Sequence, residues 1–432
     1  MSLPKRVLFI TYYFPPSGGS GVQRPVKFVK YLPEFDWHPT VLTVSPDKAA
    51  YVDRDSALAS DIPESVDVIR TSSWDPYGLY ARLRGSSRGD SIVMHMSPED
   101  DAGWKDRLSL WFRANLFIPD ARIGWVPYVV KEARKLHRAK AFDAIVTTSP
   151  PHSVHLAGRR LANRLEIPWL ADFRDPWTNI FYRDFLPTLG LVDRFEKKLE
   201  RKIVQRADSV VTVSKRDHEF YEDLRGRRVS LIPNGYDPDD MPSHRSVNSG
   251  TFVLAHVGVL NETRNPDALW KALATFEDAA DFRLELTGRM DDEVSGAVQD
   301  LPVSKLVTDN VSHSEAIEKM FGSSLLFFVV NRGTGNESMI PAKVYEYLAS
   351  GVRILGIGPT DGDAARLIEE TSSGQVFDYG DVEGIRSFLE SEAGAWRRGE
   401  HRAGCSSEDA LAYSRRELTA KLAAELTSIT LA

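Results

Sequence analysis

Residues 340–351 read IPAKVYEYLASG, which puts Lys343 in the first turn of a helix and Glu346 one turn further on. That order opposes the helix dipole, which favours acids in the first turn and bases in the last by roughly 0.3–1 kcal/mol each. Pro341 and Gly351 suit the two ends, and Val344 with Leu348 makes a buried stripe, so the helix itself is well founded. Lys343 and Glu346 are either a surface pair at three-residue spacing, worth a few tenths of a kcal/mol, or side chains kept for a ligand.

Two other stretches carry residue types suited to anions. In PPSGGSGVQR, Gly18, Gly19 and Gly21 fall where a strand turns into a helix, and glycines there let backbone N–H groups approach a negative charge. A tight turn without a ligand is the alternative. A dinucleotide fingerprint is a poor fit, because Gly19-x-Gly21 is followed by Arg24 and the next strand ends near Val44-Ser45 without an acid. In HVGVLNETRNPDAL, Arg264 stands just before a helix starting near Pro266, where an arginine grips phosphate oxygens or is simply a solvated charge. The DPD at 237–239 and DGD at 361–363 sit in turn-like segments and do not support a metal site.

Apolar runs bounded by turn residues alternate with helical periodicity, the pattern of an α/β chain with parallel sheets and crossover helices. Strands are expected at 6–11, 39–44, 143–148, 167–172, 209–214 and 229–233, and after a polar linker at 251–258, 282–288, 325–330 and 352–358. Val192, Phe195, Leu199 and Ile203 predict one buried face of a long helix. The expected division is a first domain over 1–235 with an irregular insertion about 74–125, a linker over 236–250, and a second domain over 251–405. A final helix over 406–432 is expected to return to the first domain. Two doubly wound lobes would bind ligands at the carboxyl ends of their strands. Within the insertion, Trp104, Leu108, Trp111, Phe112 and Leu116 fall near one helical face with basic neighbours, which suits either core packing or an anionic membrane surface.

Composition sets the outer bounds. The chain has 432 residues, 42% hydrophobic and 27% charged, with a single cysteine, Cys405. That rules out a disulfide framework within the chain and a multi-cysteine metal site, and suits a reducing, cytoplasmic setting. Net charge is −7, divided as +5 over residues 1–250 and −12 over 251–432, which argues against general nucleic-acid binding. No apolar span reaches 18 residues.

Taken together and in order, YYFPPSGGSGVQR (12–24), PDARIGW (119–125), TTSPPHSVHLAG (147–158), IPWLADFRDPW (167–177), ADSVVTVS (207–214), IPNGYD (232–237), HVGVLNETRNPDAL (256–269) and IPAKVYEYLASG (340–351) form a family pattern. The chain resembles the retaining GT-B glycosyltransferases of glycosyltransferase family 4, especially the branch that builds bacterial cell-surface polysaccharides. The resemblance implies two Rossmann-like domains facing across a cleft, a nucleotide-diphosphate sugar as donor, a lipid-linked or saccharide acceptor, and no metal or cofactor. It also implies a cytoplasmic enzyme at the inner face of the membrane, with peripheral contact to anionic lipid.

The resemblance assigns roles by position. Gly18 and Gly19 would lie under the donor diphosphate. Arg264 matches a phosphate-gripping lysine, and Glu346 matches the later of two glutamates eight residues apart, which accepts hydrogen bonds from the ribose hydroxyls. The earlier glutamate falls at Ser338, beside Glu337, and an arginine that normally follows the strand-end glycine falls at Val259. Lys343 is a reasonable substitute, since an ammonium at a helix N-terminus adds to the pull on a diphosphate. The family's active-site histidine falls near Arg174, so the candidate catalytic residues are Arg174, Asp172 and His155, with His152 close by. Alternatively, Asp172 and Asp175 bracket Arg174 in a structural salt bridge. A nucleotide-sugar epimerase and a catalytically silent nucleotide-sugar binder share this pattern.

Overall fold

A computed structural model describes residues 4–49, 55, 57–74, 104–180, 183, 186–242, 250–276, 281–400 and 402–431. Most of the expected insertion, residues 75–103, lies outside the described residues. The chain divides into two compact units, residues 1–233 with 418–432, and residues 234–417.

The first unit is a seven-stranded parallel sheet, β1 (Lys5–Ile10), β2 (Trp37–Val44), β3 (Asp67–Thr71), β4 (Ala144–Ser149), β5 (Trp169–Phe173), β6 (Ser209–Thr212) and β7 (Ser230–Leu231), in the order β3-β2-β1-β4-β5-β6-β7. Helices α1 (Ser20–Tyr31), α2 (Trp104–Leu116), α3 (Val126–Ala139), α4 (Ser153–Leu165), α5 (Gly190–Arg206) and α6 (Lys215–Arg225) connect these strands. The near-continuous apolar run of β1 follows from burial on both faces. Leu8 and Ile10 enter one core with Trp125, Val129 and Trp169, while Val7 and Phe9 enter another with Phe28 and Trp37.

The second unit has six parallel strands, β8 (Phe252–Val257), β9 (Phe282–Thr287), β10 (Ser304–Thr308), β11 (Leu325–Val329), β12 (Arg353–Ile357) and β13 (Gly374–Phe377), in the order β10-β9-β8-β11-β12-β13. Its helices are α7 (Asp267–Ala274), α8 (Asp292–Gln299), α9 (His313–Phe321), α10 (Lys343–Ser350), α11 (Asp363–Glu370), α12 (Val382–Arg397) and α13 (Ser407–Leu411). A last helix, α14 (Arg415–Leu431), gives Leu418, Leu422 and Leu426, spaced four apart on one face, to the core of the first unit.

One expected helix face is corrected. On α5, Phe195 is exposed, and the buried side carries Glu196 and Glu200 beside Ile203 and Val204. The acids are tolerated because each is paired: Glu200 accepts from the Thr178 hydroxyl and from Tyr221 (2.8 Å), and Glu196 meets Arg183. On α2, Leu108 and Leu116 are exposed, whereas Trp111 and Phe112 are half-buried and meet edge to face.

Candidate functional site

In each sheet the strand order reverses at one place, between β1 and β4 in the first unit and between β8 and β11 in the second. The loops leaving such a pair run in opposite directions and open a crevice at the strands' carboxyl ends.

At the first crevice, β1 ends in the glycine turn. Gly19 precedes α1 at φ 92°, a conformation that favours glycine, and no side chain caps the helix. Gly21 serves differently, because its carbonyl accepts a hydrogen bond from Arg174 Nη1, and a Cβ there would lie 2.8 Å from that nitrogen. The Arg174 guanidinium also donates to Ser149 O (2.8 Å) and Pro150 O (3.0 Å), so it staples the loop after β4 to the start of α1. Burial lowers its pKa, against the opposing pull of Asp175 and Asp172.

Asp172 closes a second staple. It pairs bidentately with Arg24 (3.1 and 2.8 Å), accepts from the Thr148 hydroxyl (2.7 Å), and Arg24 donates onward to Pro233 O (2.7 Å). Both ionic side chains are 1% exposed. Asp172 therefore engages Arg24 directly, and Arg174 holds carbonyls while Asp175 and Asp172 act on it through their charge.

Asp120, within PDARIGW, receives the Ser153 N–H (2.7 Å) and hydroxyl (2.8 Å) at the start of α4, and so fixes the turn that carries His152. His152 stacks on Trp177 with ring centroids 5.3 Å apart, and burial with nearby Arg174 and Arg183 lowers its pKa to about 3. His155 is fully enclosed, hydrogen-bonded through Nδ1 to Thr147 (2.8 Å) and packed on Phe173. Its pKa is lowered well below the usual value, chiefly by burial. Both imidazoles are neutral at pH 7.

The second crevice has a different electrostatic character. Arg264, half-buried in the turn after β8, donates through Nε to Asn331 Oδ1. Among the described residues it has no carboxylate partner, and burial alone lowers its pKa. Asn331 is held in turn, since its carbonyl accepts from Asn336 Nδ2 (2.7 Å) and from the Tyr379 hydroxyl (3.1 Å). Glu337 lies in the same loop, in the short turn Asn336–Ser338. Beneath Gly258, buried His256 donates from Nδ1 to Phe327 O (3.0 Å), and its pKa is lowered by burial to about 4.

Helix α10 is tied to the end of β8 by the Val257 N–H, which donates to the Tyr347 hydroxyl (3.1 Å). At its N-terminus Lys343 Nζ lies 2.8 Å from Glu346 Oε2, the three-residue pair that the sequence allowed. Glu346 is nearly buried at 8%, Lys343 is 32% exposed, and the contact lacks the alignment of a hydrogen bond. His313 Nε2 stands 3.9 Å from the other Glu346 oxygen and 3.5 Å from Asp240. Among the described residues no group of three acidic, histidine or cysteine side chains is arranged to hold a metal.

The candidate residues thus fall into two sets. Gly18, Gly19, Asp172, Arg174 and His155 belong to the first unit, and Arg264, Glu337, Lys343 and Glu346 to the second. Sequence reasoning missed Asp120, and it read Gly21 for its N–H where the structure uses its carbonyl. Asp120 had a signal, an acid within PDARIGW, but the helix start it serves lies 33 residues on; Gly21 acts through a carbonyl, which no residue type encodes.

Residues 86–240 match the family model Glycosyltransferase Family 4. Three solved structures are similar over nearly the whole chain. Sucrose-phosphate synthase from Thermosynechococcus elongatus shares 13% identity at a TM-score of 0.66, with 99% of each chain covered. Anabaena HepE in complex with UDP-glucose shares 13% at 0.60, covering 98% of this chain and 99% of that one. WaaG, a glycosyltransferase involved in lipopolysaccharide biosynthesis, shares 13% at 0.57, again covering 98% and 99%. No curated protein matches in sequence. The fold is that of the GT-B glycosyltransferases, two doubly wound parallel-sheet domains in one chain.

Proposed function

We propose that the protein is a retaining glycosyltransferase that moves a sugar from a nucleotide-diphosphate sugar to a hydroxyl of a saccharide or lipid-linked acceptor, in the making of a cell-surface polysaccharide or glycolipid. The observation that carries this reading is Arg264, a cation at the strand-order reversal of the second sheet with no acid beside it among the described residues. Desolvating a guanidinium there is costly unless an anion completes it. A diphosphate supplies one, and bidentate contact from an arginine suits its oxygens. The complex of HepE with UDP-glucose supports a nucleotide sugar as the ligand class.

In this reading the bond between the anomeric carbon and the diphosphate oxygen breaks as the acceptor oxygen attacks from the same face, and the acceptor proton passes to the departing phosphate. The charge that develops on the diphosphate is met by Arg264, by Lys343 and by the N-terminus of α10, which act most strongly where charge grows. Glu346 releases Lys343 to the phosphates and accepts from the ribose hydroxyls, while Glu337 is assigned to the sugar. Asp172, Arg174 and His155 position the strand-end loops on the acceptor side. No metal or cofactor is needed.

The test is incubation with UDP-, GDP- and ADP-sugars, following nucleotide binding and slow donor hydrolysis, with the anomeric configuration of any product read by NMR. Retention with one nucleotide class is expected. Neither binding nor hydrolysis with any of them refutes the reading, and donor isomerisation without an acceptor replaces it with an epimerase.

A further inference from the structure

The loops that leave β8 and β11 are laced together residue by residue. Thr263 O accepts the Arg332 N–H (2.7 Å), Arg264 Nε donates to Asn331 Oδ1, and Asn265 O accepts from Arg332 Nη2 (3.4 Å). Two arginines therefore share one seam, with different partners. Arg332 is 39% exposed and has a carboxylate, Asp267 Oδ2 at 3.2 Å, while its guanidinium carbon lies 4.6 Å from the centre of the Tyr379 ring. Arg264 has an amide instead, and among the described residues nothing else takes a hydrogen bond from its side chain.

That amide is fixed from behind. The Asn331 carbonyl accepts from Asn336 Nδ2 (2.7 Å) and lies 3.1 Å from the Tyr379 hydroxyl, which also reaches Val330 O (3.0 Å) and accepts from Asn336 Nδ2 (2.8 Å). Asn336 is buried and opens the turn Asn336–Ser338 that carries Glu337. One phenol thus fixes both the residue that holds Arg264 and the turn that bears Glu337.

An amide at this place has an electrostatic consequence. An aspartate has the same shape and the same acceptor oxygen, yet its carboxylate would neutralise Arg264 and could take two of its nitrogens in a fork. An amide oxygen satisfies Nε and leaves both terminal nitrogens, with the full positive charge, for an incoming anion. A long cation already held at one point also loses less rotamer freedom when its ligand arrives.

We propose that Asn331 is a positioning residue of the phosphate site: it aims Arg264 through Nε and, being uncharged, reserves the guanidinium for the donor's diphosphate. This role rests on the nucleotide-sugar reading above and extends it to a residue that acts through Arg264. Tyr379 and Asn336 hold Asn331 in that pose.

The experiment compares the full chain with Asn331→Asp and Asn331→Ala. Calorimetry uses inorganic pyrophosphate, then UDP, GDP and ADP with the matching nucleosides, and melting temperatures are taken without ligand. Asn331→Asp should weaken pyrophosphate and the bound diphosphate by roughly tenfold or more, because Arg264 then has its anion, and leave the nucleoside unchanged. The same variant should melt roughly 2–4 °C higher, since a charge-assisted pair replaces a bond to a neutral acceptor. Asn331→Ala should weaken the same ligands by roughly 2- to 12-fold, the cost of ordering a free side chain, and melt lower. Affinity falls in both variants while the melting temperature moves in opposite directions, a pattern that a merely structural residue does not give. Equal loss for nucleoside and diphosphate, or an Asn331→Asp chain that melts below the wild type, would overturn the proposal. A wild type that binds no diphosphate refutes the transferase reading and this role with it, whereas a wild type that binds one, matched by Asn331→Asp, refutes the role of Asn331 alone.

Discussion

The two crevices are built on the same strand reversal but use their cations in opposite ways. In the first unit Arg24 and Arg174 are consumed by the protein: a buried bidentate carboxylate and Pro233 O hold one, and three backbone carbonyls hold the other. In the second, Arg264 meets only an amide oxygen among the described residues, and Lys343 leans on Glu346 in a pair of poor alignment. A cation whose donors are all satisfied is scaffolding, whereas one left short of an anion is poised to accept a ligand. The shared topology therefore conceals two uses of cations: in the first unit they brace loops, and in the second Arg264 is left without a carboxylate among the described residues.

That contrast breaks most visibly through Arg24. Arg24→Ala leaves the Asp172 carboxylate buried and unpaired, so thermal unfolding of the first unit should fall by roughly 3–5 kcal/mol, about 6–20 °C at the sensitivity of units this size. A shift under 2 °C would make Arg24 as dispensable as a surface charge. Gly21→Ala sets a Cβ against Arg174 Nη1 and should cost about 1–3 kcal/mol, read by the same melt, with no change in nucleotide affinity.

Lys343→Ala acts on the other side of the comparison. It should weaken nucleoside diphosphate binding by roughly fivefold, about 1 kcal/mol, while leaving the nucleoside and the melting temperature unchanged. Equal loss for both ligands would show that the Lys343–Glu346 pair is structural. The gentlest effect near neutrality is that of pH. His152 and His155 in the first unit and His256 in the second have folded pKa values below the unfolded value of about 6.5, so the unfolded chain takes up the extra protons. Their stabilising contribution is complete above that value and declines as pH falls toward 4 and then 3, by up to about 1.4 kcal/mol per pH unit for each histidine. His152→Gln should flatten the slope of the first unit in denaturant titrations between pH 6.5 and 4.5.

What the sequence reveals follows burial. The central strands, covered on both faces, read as apolar runs, and β1, β4, β8, β11 and β12 lie within a residue or so of their expected limits. The strands it hides are β3, β10 and β13, all at sheet edges, where DVIRT, SKLVT and GQVF mix exposed and buried positions and lack a run. On α5 the periodicity of Phe195 misleads because partners on other elements, Arg183, Thr178 and Tyr221, make it possible to bury Glu196 and Glu200. At the site, residue types that bind anions were visible at Arg264 and Lys343. The partners of Arg24 and Arg174 were not, since a carbonyl acceptor has no signature and Asp172 is 148 residues from Arg24.

The direct test of this division is calorimetry of the wild-type chain and of Arg264→Ala with UDP, GDP and ADP, alongside their melting temperatures. The account predicts that one diphosphate binds, that the variant binds it roughly 10- to 150-fold more weakly, the loss of a charge-assisted contact of about 1.5–3 kcal/mol, and that both chains melt within about 2 °C of each other. Undiminished binding by the variant, or a variant that melts far below the wild type, would place Arg264 with Arg24 among the scaffold and contradict the claim.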